Sequence, residues 1–575
     1  MKPNDIYNDI CGFSPNPEQA EVFDALINLD ISRNPLLLRL PCGYGKTESV
    51  VIPFLAQART NKWAIAPRLI YVLPTRALCN QIKDRICYYA QRIEELTDKI
   101  VTVGIEHGTS SLDPLFFSDI CITTFDQFLY GYARNKSQVG RHVDIPAGSF
   151  ANSIIVFDEA HLYSPYTHAL MKAMLDILYH SRIPVVVMTA TMPETLQKDI
   201  MYGFNSELVT FKGNFLNKRS ISWEIKDWAL LKEEKPSEKL VDILNKAKNQ
   251  KVLIVANRVN VAQKLASELR DKRVKLIHSR FSVRDRAVKE NDVISLLGKN
   301  SAADAGIIIS TQVCEVGLDI SCDLLITECA SADALVQRIG RVARWGGKGK
   351  VIIVNPEKSA PYVDKKLEDK GDFVKISFEH LRNNPKLDFT SWGDTEAFCN
   401  LMEYHVNYVE ARNAMGQVFE ATLYADSVPY NLSARDEMYC TIFIGILHAM
   451  DKKKRAKKSK PEETGKLISL NAKQYKLTDK IPYGEIKPLC LNVSYLWFRR
   501  FWSNKDGIKK GLKMIEYDPE EQSLKENTSD KPPRPFRIYA LLDEEGTKEE
   551  DKNYDSEIGL NPKSQEIDEE SCQIC

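Results

Sequence analysis

Two series of short, uniformly apolar runs, each run separated from the next by a stretch with helical spacing, constrain this chain more than any other feature. The first series is LLLRL (36–40), LIYVLP (69–74), DICITT (119–124), SIIVFDEAH (153–161) and PVVVMTAT (184–191). A charged stretch, 214–240, reads as a connector. The alternation then restarts with KVLIVAN (251–257), VKLIHS (274–279), GIIISTQ (306–312), DLLITE (323–328) and KVIIVNP (350–356). Strands alternating with helices give a parallel sheet with crossover connections. The expectation is therefore an α/β chain with two parallel-sheet lobes in tandem, spanning 1–213 and 241–357. Beyond them the spacing predicts a smaller, mainly helical accessory region over 358–542. It carries a basic run at 451–460 (DKKKRAKKSK), read as a solvated loop, and YLWFRRFW (495–502), read mainly as core with base stacking as the minor alternative. The acidic stretch 543–575 is expected to be disordered.

At 575 residues the chain exceeds one ordinary domain. Lys plus Arg equals Asp plus Glu at 78 each, so bulk charge gives no argument for a nucleic-acid partner, which must rest on local grooves. The N-terminus has no apolar signal region. Runs such as IPVVV fall far short of the roughly 20 residues that span a bilayer, so no membrane role is expected and the location is read as cytoplasmic. The 13 cysteines are scattered through expected core, which fits reduced thiols. The closing SCQIC pair, Cys572 and Cys575, cannot complete a zinc site alone and reads as flexible tail.

The chemistry concentrates at strand ends. LLLRLPCGYGKT leads from a strand through Gly43 and Gly45 into a helix that opens at Lys46-Thr47. Backbone N–H groups there can hold phosphates, Lys46 can reach the β- and γ-phosphates, and the Thr47 hydroxyl can ligate Mg²⁺. Leu40 stands where the common pattern has its first glycine. SIIVF delivers Asp158 and Glu159 to the end of another strand, where α/β sheets place ligands. Asp158 suits a Mg²⁺ ion, and Glu159 an attacking water. Burying two adjacent acids costs several kcal/mol unless a metal or partner offsets it. A helix over 334–346 (ALVQRIGRVARWG) would set Arg338, Arg341 and Arg344 near one face. Arg341 and Arg344 are then candidate arginine fingers from the second lobe. A basic face holding nucleic-acid phosphates, or nothing, is the alternative.

Together GYGKT (43–47), PTRAL (74–78), TTFDQ (123–127), DEAH (158–161), TAT (189–191), STQVCEVGLDI (310–320) and QRIGR (337–341) resemble the ordered motifs of superfamily 2 helicases. LIHSRFSVRDRAVKEN (276–291) and DALVQRIGRVARWGG look like the core of the CRISPR-associated interference helicase. The resemblance covers roughly the first 345 residues. It implies two RecA-like lobes that clamp ATP and Mg²⁺, and 3′–5′ movement on single-stranded DNA beside a CRISPR effector complex carrying guide RNA. It also implies site roles: Gln19 reading adenine, Gly317 and Asp319 touching nucleotide, and Arg76 and Thr124 facing nucleic-acid backbone. Thr189, Thr191 and Gln312 would couple ATP state to the nucleic-acid track. His161 is left open between a coupling and a structural role. That family usually carries a histidine-aspartate nuclease, yet none of the nine histidines here precedes aspartate, so the chain reads as a helicase subunit with its HD nuclease on another chain. An RNA-remodelling DEAH helicase and a non-catalytic scaffold are the competing readings.

Overall fold

The computed structural model describes residues 2–560, apart from 42, 61–62, 108–109, 135, 137–138, 140–141, 191–192, 205–208, 214–218, 270–272, 316, 405–407, 421–438, 449–466, 471–472, 477, 504–514, 519–520, 527–532, 535–536, 545–546 and 547–552. The chain divides into two compact units. One comprises residues 1–221, 331–348 and 364–436, and the other 222–330, 349–363 and 437 onward.

The first unit is built on β1 (Leu36–Arg39), β2 (Arg68–Leu73), β3 (Val103–His107), β4 (Ser110–Ser111), β5 (Ile120–Thr124), β6 (Ser153–Phe157), β7 (Val185–Thr189) and β8 (Val209–Lys212). Their order in the sheet is β4-β3-β5-β2-β6-β7-β1-β8. Pairing is parallel throughout except between β3 and β4. β1, β5, β6 and β7 are buried along their whole length, which is why they read as unbroken apolar runs rather than alternating ones. Parallel pairing brings their C-terminal ends to one edge, where the loops carrying GYGKT, DEAH and TAT follow. Beneath the sheet Phe150 meets Phe116 and Phe128 with ring centroids 4.7 and 5.0 Å apart. Such aromatic pairs contribute about 0.5–1.5 kcal/mol beyond their burial. The helix Tyr408–Glu420 adds Ala411 and Met415 to that core. Ser164 caps the helix Pro165–His180 through the Thr167 N–H, an arrangement worth about 1 kcal/mol.

The second unit continues with β9 (Arg219–Lys226), a small hairpin of β10 (Leu231–Lys232) and β11 (Lys235–Pro236), then β12 (Lys251–Val255), β13 (Val274–Ile277), β14 (Gly306–Ser310), β15 (Leu324–Glu328) and β16 (Gly347–Val354). The sheet order is β13-β14-β12-β15-β16-β9, with β12 to β16 parallel. The stretch expected to be a connector thus supplies β9, an edge strand of this sheet.

The mainly helical expectation for the C-terminal region holds only over its first part, where helices Phe373–Asn383, Trp392–Cys399 and Tyr408–Glu420 lie. From Tyr439 on it is corrected. β17 (Tyr439–His448), β18 (Leu467–Leu470), β19 (Lys473–Lys476), β20 (Cys490–Ser494), β21 (Ile515–Asp518), β22 (Ser523–Glu526) and β23 (Ile538–Glu544) form a mixed sheet around β17, which pairs with β18, β20 and β23. Most of these strands have only four or five residues, too few for period-two alternation to stand out. Trp497 and Phe498 are buried in this region's core. The basic run 451–460 lies outside the described residues.

Part of the acidic tail is also ordered. β24 (Tyr554–Asp555) and β25 (Gly559–Leu560) pair with each other, while 561–575 lie outside the described residues. Tyr554 OH donates to Asp285 Oδ2 at 2.6 Å, Lys289 Nζ donates to Glu557 at 2.5 Å, and Gln263 Nε2 donates to the carbonyls of Ile558 and Leu560 at 2.8 and 3.0 Å. Gly559 adopts φ +80, and a Cβ there would lie 2.7 Å from the Arg280 carbonyl oxygen. Composition predicted disorder because low hydrophobicity offers little burial; here side-chain hydrogen bonds from the sheet's flanking helices hold the segment.

His278 anchors the same segment. Its ring accepts the Arg280 N–H at Nδ1, 3.1 Å away, and lies 2.8 Å from the Ile558 carbonyl through Nε2, which fixes a neutral ring donating from Nε2. Burial, with Arg280, Arg286 and Lys289 nearby, pushes its pKa down to about 3. The unfolded ring titrates near ~6.5. Stability from the neutral ring is therefore complete above that pH and is lost as pH falls toward 3, because the unfolded chain binds a proton that the folded chain does not. The limiting slope is about 1.4 kcal/mol per pH unit. Urea unfolding is expected to show a smaller loss of stability between pH 6.5 and 4.5 in His278→Gln than in the unaltered chain. Equal losses would mean the ring is not held neutral.

Candidate active site

The phosphate turn follows β1 directly. Gly43 and Gly45 adopt φ +83 and +87, a region costing other residues about 1–2 kcal/mol. The helix Lys46–Thr60 then begins, with the Ser49 N–H bonded to the Gly45 carbonyl at 3.0 Å. Backbone N–H groups in the first turn of a helix precede any carbonyl of that helix one turn earlier, which is the arrangement that binds anions.

Gln19 lies against this turn and is buried. Its Oε1 accepts the Asn16 N–H at 2.8 Å, and its Nε2 donates to the Gly45 carbonyl at 3.1 Å. Asn16 Nδ2 donates to the Tyr44 carbonyl at 3.3 Å. Both ends of its amide thus fasten the helix Pro17–Asn28 to the phosphate turn, and the base-reading role implied for Gln19 would exchange both bonds for adenine.

The acid pair emerges from β6. Lys46 Nζ sits 3.1 Å from the Glu159 carboxylate. Asp158 accepts from Tyr71 OH at 2.6 Å and from the Glu159 N–H at 2.8 Å, while Tyr71 OH is 3.4 Å from Thr47 Oγ1. Burial and the adjacent Glu159 push the Asp158 carboxyl up to about 6. Burial also acts upward on Glu159, but Lys46, with His161 and Arg341 nearby, outweighs it and holds that carboxyl below its ordinary value. Lys46 pairs with Glu159, while the more deeply buried Asp158 bears the desolvation cost. Glu159 has φ +51, a left-handed backbone that turns its carboxylate back toward Lys46.

His161 ties this pair to β7. Its Nδ1 lies 3.0 Å from Thr189 Oγ1 and 3.5 Å from Glu159 Oε2. Burial pushes its pKa down to about 4, so the ring is neutral at neutral pH. The Leu40 N–H bonds the Thr189 carbonyl at 3.2 Å. Thr189 thereby touches both the phosphate turn and the DEAH segment. Thr191 lies outside the described residues.

The arginine segment needs correction. Its helix is Ala332–Ile339, not 334–346. Gly340 ends it, Ala343 turns left-handed at φ +46, and β16 begins at Gly347, leaving no length for a longer helix. Arg338, the largest fully buried side chain, is on the helix, whereas Arg341 and Arg344 lie in the turn after it. Arg341 is nevertheless near enough to lower the Glu159 pKa, so it is brought to the acid pair without sharing a helical face with Arg338.

Among the remaining expected residues, Arg76 opens the helix Arg76–Thr97, half-buried. Thr124 is buried at the end of β5, and its hydroxyl has no partner among the described residues. In the second unit Gln312 Nε2 donates to the Asn257 carbonyl at 2.7 Å, and the Asn257 N–H donates to Glu328 at 2.6 Å. Gly317 has φ +78, and Asp319 is half-buried. Sequence reasoning missed Tyr71. The signal was present in LIYVLP: a hydroxyl in a strand buried on both faces must find a polar partner at its end.

The paired phosphate turn and DEAH acids on one parallel sheet, followed by a second α/β unit, define an ATP-dependent helicase of the DEAD/DEAH class. A family model described as DEAD/DEAH box helicase matches residues 16–199, and one described as CRISPR-associated nuclease/helicase Cas3, C-terminal, matches 248–346. The CRISPR-associated helicase Cas3 of Thermoproteus tenax is 33% identical over 450 residues, 74% of each chain. The chain belongs to the Cas3 helicase family. A putative CRISPR-associated nuclease/helicase Cas3 of Methanocaldococcus jannaschii is 29% identical, over 62% of this chain and 51% of that protein; the chain thus spans about half the length of that relative. Among solved structures, T. fusca Cas3 with AMPPNP shares the fold at TM-score 0.69 and 17% identity, covering 94% of this chain and 69% of that one.

A Cβ at Gly45 would lie 2.5 Å from Gln19 Nε2, whereas one at Gly43 would meet nothing within 4 Å. Gly45→Ala is expected to weaken binding of a fluorescent ATP analogue more than tenfold, and Gly43→Ala less, by about the backbone cost alone. Equal losses would mean that Gln19 does not pin the turn.

Proposed function

We propose that the chain is a single-stranded-DNA-dependent ATPase that moves 3′ to 5′ and unwinds target DNA in type I CRISPR interference. In this reading it acts beside an effector complex carrying guide RNA, with cleavage left to an HD nuclease on another subunit. Membership of the Cas3 family supports the CRISPR setting. The observation that carries the enzymatic part is the Lys46–Glu159 pair at 3.1 Å, with Arg341 close enough to act on the same carboxylate.

The donor set fits a divalent cation. Asp158 is a buried carboxylate, and Tyr71 links it to the Thr47 hydroxyl. Thr47 and Asp158 would hold Mg²⁺, which when bound neutralises charge on the β- and γ-phosphates. Entering ATP offers Lys46 phosphate oxygens in place of Glu159. Losing that partner raises the Glu159 pKa, since burial already acts in that direction, and leaves the carboxylate free to orient water and take its proton. Arg341 and Arg344 neutralise charge that develops on the transferring phosphoryl group. Thr189 and His161, bonded to each other between the phosphate turn and the DEAH segment, pass the loss of γ-phosphate to the TAT segment. Movement along DNA then follows from two nucleotide-dependent states with different grips on the backbone. Backbone contacts make sequence preference unnecessary.

ATP turnover measured without nucleic acid, with single-stranded DNA and with single-stranded RNA tests this reading. DNA is expected to stimulate. Glu159→Gln is expected to lower stimulated turnover about 10²–10⁴-fold, Arg341→Ala about 10³-fold, and Lys46→Ala to abolish it. Stimulation by RNA alone would replace the DNA motor with an RNA helicase, and turnover indifferent to Glu159→Gln would remove Glu159 from the chemistry.

A further inference from the structure

The helix Trp392–Cys399 and the residues after it lie outside every helicase motif, yet they bond to both halves of the ATPase machinery. Arg39, the last residue of β1, is 3% exposed, and its guanidinium is paired with Glu396 of that helix and lies over the Trp392 ring, 5.8 Å from its centroid. Farther along, Tyr404 OH donates to Asp333 Oδ1 at 2.8 Å. Asp333 is in the first turn of the helix whose far end leads into Arg341 and Arg344. It also lies close enough to His161 to act on that ring. A third bond, from the Glu194 N–H to Asn400 Oδ1 at 2.9 Å, ties the start of the helix after the TAT segment to the same short stretch. All these residues belong to the first unit.

We propose that Glu396 and Tyr404 are positioning residues of the ATPase: Glu396 holds the phosphate turn through Arg39, and Tyr404 holds the arginine turn through Asp333. The physical case rests on burial and placement. A buried guanidinium without its carboxylate is an uncompensated charge, and here it sits at the strand end from which the phosphate turn departs. Losing Glu396 therefore shifts or loosens the turn that binds ATP in ground and transition states alike, an effect read in KM. Tyr404 acts one helix away from arginines whose contribution is made as charge develops on the phosphoryl group, so its loss is read in kcat. The inference rests on the ATPase reading above.

The test measures DNA-stimulated ATP turnover and direct binding of a fluorescent ATP analogue by the full chain carrying Glu396→Gln, Tyr404→Phe, Asp333→Asn or the Tyr404→Phe/Asp333→Asn pair. Glu403→Gln, which breaks only an exposed ion pair with Lys370, is the control. Glu396→Gln is expected to raise KM and the analogue's dissociation constant about tenfold, the scale of one lost charged hydrogen bond, with kcat within about threefold. Tyr404→Phe keeps the ring and is expected to lower kcat about tenfold with KM within about twofold. The double variant should be no worse than Asp333→Asn alone, as expected for two ends of one bond. The proposal is overturned if both kinetic parameters stay at control values, or if all variants lower kcat alone in parallel with the fraction folded. Should the unaltered chain show no turnover, the ATPase reading fails, while unchanged analogue binding in Glu396→Gln would separately refute the Glu396 assignment.

Discussion

The Lys46–Glu159 ion pair beside the buried Asp158 sets the terms for the rest of the first unit. Lys46 contacts Glu159, and Asp158 accepts from the Tyr71 hydroxyl and a backbone N–H. A buried carboxylate beside a second, half-buried one is tolerable only where further positive charge can arrive, and such a site is completed by what it binds. The apolar parallel strands shield Asp158 from water. Their shared direction brings the phosphate turn, the acid pair and Thr189 to one edge, with β7 lying between β6 and β1.

The links around this charge cluster are short and polar. Tyr71 spans Thr47 and Asp158, His161 spans Glu159 and Thr189, and Gln19 clips the N-terminal helix to Gly45. Each uses a neutral donor or acceptor, so the net charge at the centre stays that of Lys46, Asp158, Glu159 and the nearby Arg341. Replacement of the Lys46–Glu159 bond by a Lys46–phosphate bond would therefore be felt at Thr189 through His161 without any long-range strain. Arg39–Glu396 and Tyr404–Asp333 extend the same logic into helices beyond the motif set.

Much of this was legible in the sequence because the constraints are local. The GYGKT turn needs glycines at left-handed positions, and Gly43 and Gly45 occupy them. Uniformly apolar runs gave the parallel strands because both faces are buried. What escaped depended on distant partners. Tyr71 in LIYVLP looks like any core aromatic until Asp158 is placed beside it. Nothing in PNPEQ reveals that the Gly45 carbonyl lies within reach of Gln19. The arginine segment has helical spacing through 346, yet the need to start β16 at Gly347 ends the helix at Ile339. The C-terminal sheet was hidden by strands too short to show a period, and the segment 553–560 by an acidic composition whose side chains and carbonyls are nonetheless bonded to Asp285, Lys289, Gln263 and His278.

In the proposed mechanism, hydrolysis at the Lys46–Glu159 site drives directed movement along single-stranded DNA. Displacement of streptavidin from biotin placed at either end of a single-stranded DNA oligonucleotide measures that movement most directly. Movement from 3′ to 5′ gives ATP-dependent displacement from the 5′ end and little from the 3′ end, with the effector complex present for loading. ATP hydrolysis on the same DNA with no displacement from either end would contradict it.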